Sequence, residues 1–152
     1  MKLQQDLREF IELLNSHGVE YLVVGGHAVA YHGYPRYTGD IDFLVRPTPD
    51  NAQRLVEVLE SFGFEAADEL ESTFTEPETV VQLGRPPQRI DLLTSISGVD
   101  FDTVWRQAVP GQLDGIPVRF PDLDSLLNNK RASGRAKDIA DVEELEKVTG
   151  RR

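Results

Sequence analysis

"VVGGHAVAYHGYPRYTGDIDFLV", Val23 to Val45, carries two glycines after one apolar run and two aspartates inside another. Asp40 and Asp42 alternate with Ile41 and Phe43. Side chains on a strand alternate between faces, so the two carboxylates share one face and the apolar pair the other. Like charges a strand-step apart, beside an apolar sheet, are costly unless something positive sits between them. A divalent cation is the simplest compensation. Mg2+ (or Mn2+) takes oxygen ligands and leaves room for phosphates.

Asp91 in "RIDLL" also stands alone between apolar neighbours, which predicts a strand of the same sheet. If that strand neighbours "DIDFLV", three carboxylates meet at one edge. Three carboxylates can hold two metal ions, the arrangement used for in-line displacement at phosphorus. Gly25-Gly26, between a strand and a short helix, lets backbone N–H groups approach a phosphate closely.

The rest of the chain supplies a frame. Leu3, Leu7, Phe10, Ile11 and Leu14 recur at helical spacing and Gly18 stops that helix. "VEYLVV" (Val19 to Val24) and "DIDFLV" (Asp40 to Val45) read as strands. Asp50 caps a helix that carries Leu55, Val58, Leu59 and Phe62. The acidic stretch Ala66 to Thr79 reads as loop with a weak strand. "TVVQL" and "RIDLL" are strands, "FDTVWRQA" a short helix, and Asp114-Gly115 the turn of a hairpin. Asp122 caps a helix through Lys130, and Ile139, Val142, Leu145 and Val148 mark a last helix. The pattern predicts an α/β (α+β) fold, a small mixed sheet flanked by helices. A length of 152 residues suits a single domain, with a core over 19–120 and C-terminal helices over 122–149.

Composition narrows the function. The sequence has no cysteine, so disulfides, thiolate metal sites and cysteine nucleophiles are excluded. A formal net charge of -10 argues against broad, sequence-blind nucleic-acid binding. Acid gathers in "AADELESTFTEPET", base in "NNKRASGRAK". Lys130, Arg135 and Lys137 in the basic stretch read either as phosphate contacts or as partners that balance Asp138 and Asp141, which themselves read as cap and surface residues that hold these basic groups in place. Arg36 and Thr38, just before the acidic pair, read as phosphate contacts or as a salt bridge and a turn residue. With three histidines and no cysteine a zinc site has no support. His32 reads as a hydrogen-bond donor that fixes a loop, and Tyr31, Tyr34, Tyr37 and Trp105 as packing residues. No basic-then-apolar leader and no membrane-length apolar run occurs, which predicts a cytoplasmic protein without membrane partners.

Strand, Gly-Gly, short helix, D-h-D strand and later h-D-h strand together resemble the nucleotidyltransferase superfamily with the DNA polymerase β-like fold. "GGHAVAYHGYPRYTGDIDFLV" and "NKRASGRAKDIADVEEL" are similar to segments of small bacterial nucleotidyltransferases of abortive-infection and toxin–antitoxin systems. The resemblance covers residues 19–147. It implies transfer of a nucleoside monophosphate from an NTP to a hydroxyl or phosphate acceptor: an RNA such as a tRNA end, a protein or a small molecule. It assigns Asp40, Asp42 and Asp91 as catalytic and metal-binding. It assigns Gly25, Gly26, Arg36, Thr38, Lys130, Arg135 and Lys137 to the nucleotide. A toxin or phage-defence role with a cognate antitoxin follows from the same resemblance. His27 stands where many members have serine. That departure supports an alternative: a non-catalytic binding or regulatory partner in a two-gene system.

Overall fold

The computed structural model describes residues 3–35, 39–84 and 89–151. Arg36, Tyr37, Thr38 and most of the "GRPPQ" turn lie outside them. Six strands and six α-helices follow one another in these segments. Helix α1 (Gln5–Ser16) buries Phe10, Ile11 and Leu14. Strand β1 (Tyr21–Val24) leads into the short α2 (Gly26–Tyr31) and then β2 (Ile41–Val45). Helix α3 (Pro49–Ser61), two single-turn 3-10 segments, β3 (Val80–Leu83) and β4 (Ile90–Leu93) come next. Helix α4 (Phe101–Gln107), the hairpin β5 (Val109–Leu113) and β6 (Ile116–Phe120), then α5 (Leu123–Ser133) and α6 (Ala136–Thr149) complete the order.

Four strands form one sheet in the order β1-β2-β4-β3. β2 and β4 are parallel, and both flanking pairs are antiparallel. A parallel pair needs a long crossover, which α3 and the segment after it supply. The sheet has two different faces. Ile41, Phe43 and Val45 join Tyr21, Val23 and Leu92 in the larger apolar cluster, with α1 and α3 against it. There Phe10 meets Phe62 edge-on at 5.2 Å, and Tyr21 meets Phe43 edge-on at 5.5 Å. The opposite face carries Leu22, Val24 and Leu44, covered at one end by Val104, Phe101 and Trp105 of α4. Its other end carries Asp42 and Asp91.

The hairpin turns through Asp114 (φ +49°) and Gly115 (φ +80°), two left-handed residues as a two-residue turn of this type requires. Asp114 is anchored there: its carboxylate accepts from Leu3 N (3.0 Å) and pairs with Arg8 (2.8 Å). Tyr31 stacks on Phe120 at 4.2 Å and donates to Pro110 O. His32 Nε2 donates to Pro121 O at 2.7 Å. These contacts hold the C-terminal end of α2 against the hairpin and the residue after it.

Two local expectations are corrected. Thr48, not Asp50, caps α3: its hydroxyl accepts from Asn51 N, Pro49 opens the helix and Asp50 lies in its first turn. Proline at the first helical position favours that start. The acidic stretch holds no strand but the 3-10 segments Ala67–Leu70 and Thr73–Thr75. Only Ala67 and Phe74 in it are buried, too few apolar residues for a strand face.

Asn51 ties the crossover to the sheet. Its carboxamide, 1% exposed, accepts from Glu20 N (2.8 Å) and donates to Glu20 O and Arg46 O (both 3.0 Å). Asn51→Ala strands these buried backbone groups and is expected to cost about 2 kcal/mol. Urea denaturation of the two proteins measures that difference, and a change near zero would show water replacing the carboxamide.

Candidate active site

The site begins where β1 ends. Val24 stands opposite Asp42 in the β1–β2 register. Gly25 follows with φ +68° and ψ −147°, a conformation open essentially to glycine alone. A Cβ placed on Gly25 would land on Oδ2 of Asp42. The glycine thus serves two purposes: it turns the chain into α2 and leaves room for the carboxylate. Gly26 is the first residue of α2.

On the other side of Asp42, the parallel register sets Asp91 directly beside it. Asp40 lies two residues before Asp42, just ahead of β2. Burial pushes the Asp42 carboxyl up first. The charge of Asp91, a hydrogen bond to Asp91 and the charge of Asp40 add to this, raising it to about 6 against an opposing pull from Lys130. Asp40 and Asp91 are instead bridged by Arg89. Its guanidinium lies 2.9 Å from Asp40 Oδ2, 2.9 Å from Asp91 Oδ1 and 3.2 Å from Asp91 Oδ2. Sequence reasoning gave Arg89 no role. The signal was present, since residues 89 and 91 share a face by the period of two.

A cleft of about 550 Å³ opens over this end of the sheet. Gly25, Gly26 and Asp42 line one part of it, and Lys130, Arg135 and Lys137 another. Val80, Leu93 and Ile96 give it an apolar side, with Ser95, Ser97 and Asn129 nearby. Six of the residues singled out in the sequence therefore meet at one cavity. Asp40 and Asp91 stand outside its lining, on the Arg89 side. Arg36 and Thr38 lie outside the described residues.

The basic residues are not equivalent. Lys130, 5% exposed, has its Nζ 3.2 Å from Asp138 and 3.1 Å from Asp141. Asp138 also accepts from Arg135 Nε (2.8 Å) and from the Ser133 hydroxyl. Asp138 and Asp141, expected at the surface, are both buried. They sit three residues apart on α6, hence on one face of it, and that face meets Lys130 of α5. Burial alone would raise the Asp138 carboxyl, but hydrogen bonds from Arg135, Ser133 and Lys130 outweigh it and hold it at about 2. Lys130 thus locks two helices together while facing the cleft. Lys137 has no ion pair among the described residues and lines the same cleft.

An acid pair on adjacent parallel strands, a glycine turn that clears it and a cleft lined by basic side chains thus come together at one end of the sheet. The chain belongs to the family described as "Nucleotidyl transferase of unknown function (DUF2204)", whose model matches residues 3–152. It is a nucleotidyltransferase by that membership, and an NTP is its implied substrate. Among curated proteins none matches the sequence. Solved structures share the fold. TM1012 of Thermotoga maritima, a candidate nucleotidyltransferase, matches with TM-score 0.57 and 17% identity, over 96% of this chain and 91% of its own. The lincosamide antibiotic adenylyltransferase LnuA, solved with lincomycin bound, matches with TM-score 0.56 and 14% identity, over 96% and 98%. An antigenic nucleotidyltransferase-like protein of Paracoccidioides brasiliensis matches with TM-score 0.52 and 20% identity, over 94% and 75%. Among the described residues no helix is long and apolar enough to cross a membrane.

The buried triad gives a pH test. Asp138 has a folded value of about 2 against an ordinary 3.8, so the folded state releases its proton more readily. Its contribution is therefore present above pH 4 and lost as pH falls toward 2, on the order of 2 kcal/mol. Asp138→Asn is expected to be less stable than wild type at pH 7, with the gap closing below pH 4. Denaturation midpoints across that range check it, and a gap independent of pH would contradict it.

Proposed function

We propose that the chain transfers a nucleoside monophosphate from an NTP to an acceptor oxygen, with Asp40, Asp42 and Asp91 as its catalytic and metal-binding acids. The observation that carries this reading is the cleft in which Gly25, Gly26, Asp42 and Lys137 meet. The donor set suits Mg2+ or Mn2+: all three groups are carboxylates, the hard oxygen ligands these ions prefer. Burial first and then its acidic neighbours push the Asp42 carboxyl up, and the part due to those neighbours reflects negative charge that a cation would relieve. Among the described residues no three acidic side chains already converge as ligands, and Arg89 holds two of them. When bound, the metal supplies charge neutralisation at the phosphates and a lower pKa for the attacking hydroxyl.

The chain's own residues do the remainder. Lys137, with Arg135 beside it, draws the triphosphate, and the backbone around Gly25-Gly26 allows its close approach. Val80, Leu93 and Ile96 offer the base an apolar wall. The acceptor oxygen attacks the α-phosphorus as the α–β bridging bond breaks. Pyrophosphate leaves, and the hydroxyl proton passes to Asp91. Lys130 keeps α5 against α6, so that the basic side of the cleft keeps its shape.

Acceptors compatible with this site are an RNA end, a protein hydroxyl or a small molecule. LnuA, a small-molecule adenylyltransferase of nearly the same length, supports the last of these. The sequence resemblance to toxin-type enzymes extends the proposal to a cytoplasmic defence component answered by a partner protein. His27, buried in α2 where many relatives carry serine, favours the non-catalytic alternative.

Calorimetric titration with NTPs separates these readings. Wild type is expected to bind an NTP only with Mg2+ present, and Asp42→Asn to lose that binding while staying folded. A folded wild type that binds no NTP would leave the partner-module reading standing. Lys137→Ala is expected to weaken NTP binding about tenfold, the effect of losing one hydrogen bond to a charged group. Lys130→Met should instead lower the melting temperature, and unchanged stability there would refute its structural role.

A further inference from the structure

One cation already sits among the three carboxylates. Arg89 occupies both oxygens of Asp91 and one of Asp40. Its carbonyl accepts from Ile41 N at 3.1 Å, so its main chain is pinned to β2. Its side chain, 29% exposed, stands at the solvent edge of the cluster. Guanidinium keeps its proton at any pH at which a protein folds, so this positive charge is permanent. The ion pairs of Arg89 are with Asp40 and Asp91, while Asp42, buried beside those two carboxylates, feels its charge only at longer range. A divalent cation bound by Asp40 and Asp91 would compete for oxygens that Arg89 now holds. The two positive charges would repel each other.

We propose that Arg89 is a displaceable internal cation, which holds Asp40 and Asp91 while no metal is bound and competes with a divalent cation for them. This rests on the reading of the acid cluster as a cation site. The protein alone then has a low affinity for divalent ions. A cation that arrives on a nucleotide brings phosphate oxygens with it, and these offer the displaced fork a bidentate partner. Arg89 in this way couples occupation of the acid cluster to arrival of the nucleotide, and acts as a positioning residue.

Binding of Mn2+ alone, followed by loss of the free-ion paramagnetic resonance signal, tests this without turnover. Arg89→Gln is expected to bind Mn2+ about tenfold more tightly than wild type, the effect of removing one cation adjacent to a carboxylate. Its melting temperature without metal should fall, and Mn2+ should raise it more than it raises that of wild type. Arg89→Lys, which keeps the charge without the fork, should fall between the two. Equal or weaker Mn2+ binding by folded Arg89→Gln overturns the proposal. If that variant does not fold, Arg89→Lys decides: affinity no greater than wild type overturns it. The underlying cation-site reading fails separately, by Asp42→Asn binding Mn2+ as wild type does.

Discussion

The parallel, in-register pairing of β2 with β4 puts Asp42 against Asp91 at one end of a buried sheet. Most of the local architecture answers that constraint. Neither strand can shift by one residue without turning the carboxylates into the apolar core on the other face. Gly25 must lack a side chain because the Asp42 carboxylate fills the space where one would be. The crossover through α3 fixes how β4 arrives, and Asn51 fastens that crossover to both neighbouring strands.

Two clusters of acid in this molecule meet opposite fates. Asp138 and Asp141 are more buried than Asp42, yet Asp138 is driven well below the ordinary carboxylate range while Asp42 is driven above it. The difference lies in what faces them. Three donors converge on Asp138, so its ionised form is solvated by protein. Asp42 looks at two further carboxylates, and the Arg89 guanidinium is paired with those two. One cluster is satisfied and structural. The other carries unrelieved charge, as is common where chemistry is done.

Much of this was legible in the chain because glycine, proline and alternating polarity punctuate it. The strand before Gly25-Gly26, the Asp114-Gly115 turn, and the D-h-D and h-D-h strands all follow from local rules that tertiary packing did not override. Their pairing could be anticipated only as a condition, since register is set by contacts far apart in sequence. The cap of α3 was missed because Thr48 and Asp50 are both good caps two residues apart, and Pro49 decides between them. The burial of Asp138 and Asp141 was missed for a different reason. Helical spacing puts them on one face, but only the fold says that a lysine of another helix is waiting there.

The helix hairpin of α5 and α6 has an electrical consequence. Lys130 and Arg135 are balanced by Asp138 and Asp141, so this group of four contributes no net charge to the cleft it borders. What looks in the sequence like a basic stretch is, in the folded chain, largely a neutral multipole whose field dies away within a short distance. Attraction of a polyanion from afar is correspondingly weak, and the overall negative charge opposes it further. Recognition in such a cleft is a short-range matter of contact geometry. The rate of encounter with a nucleotide would rise as salt screens the repulsion from the net charge of -10, the reverse of what is seen in proteins that gather phosphates through an extended positive surface.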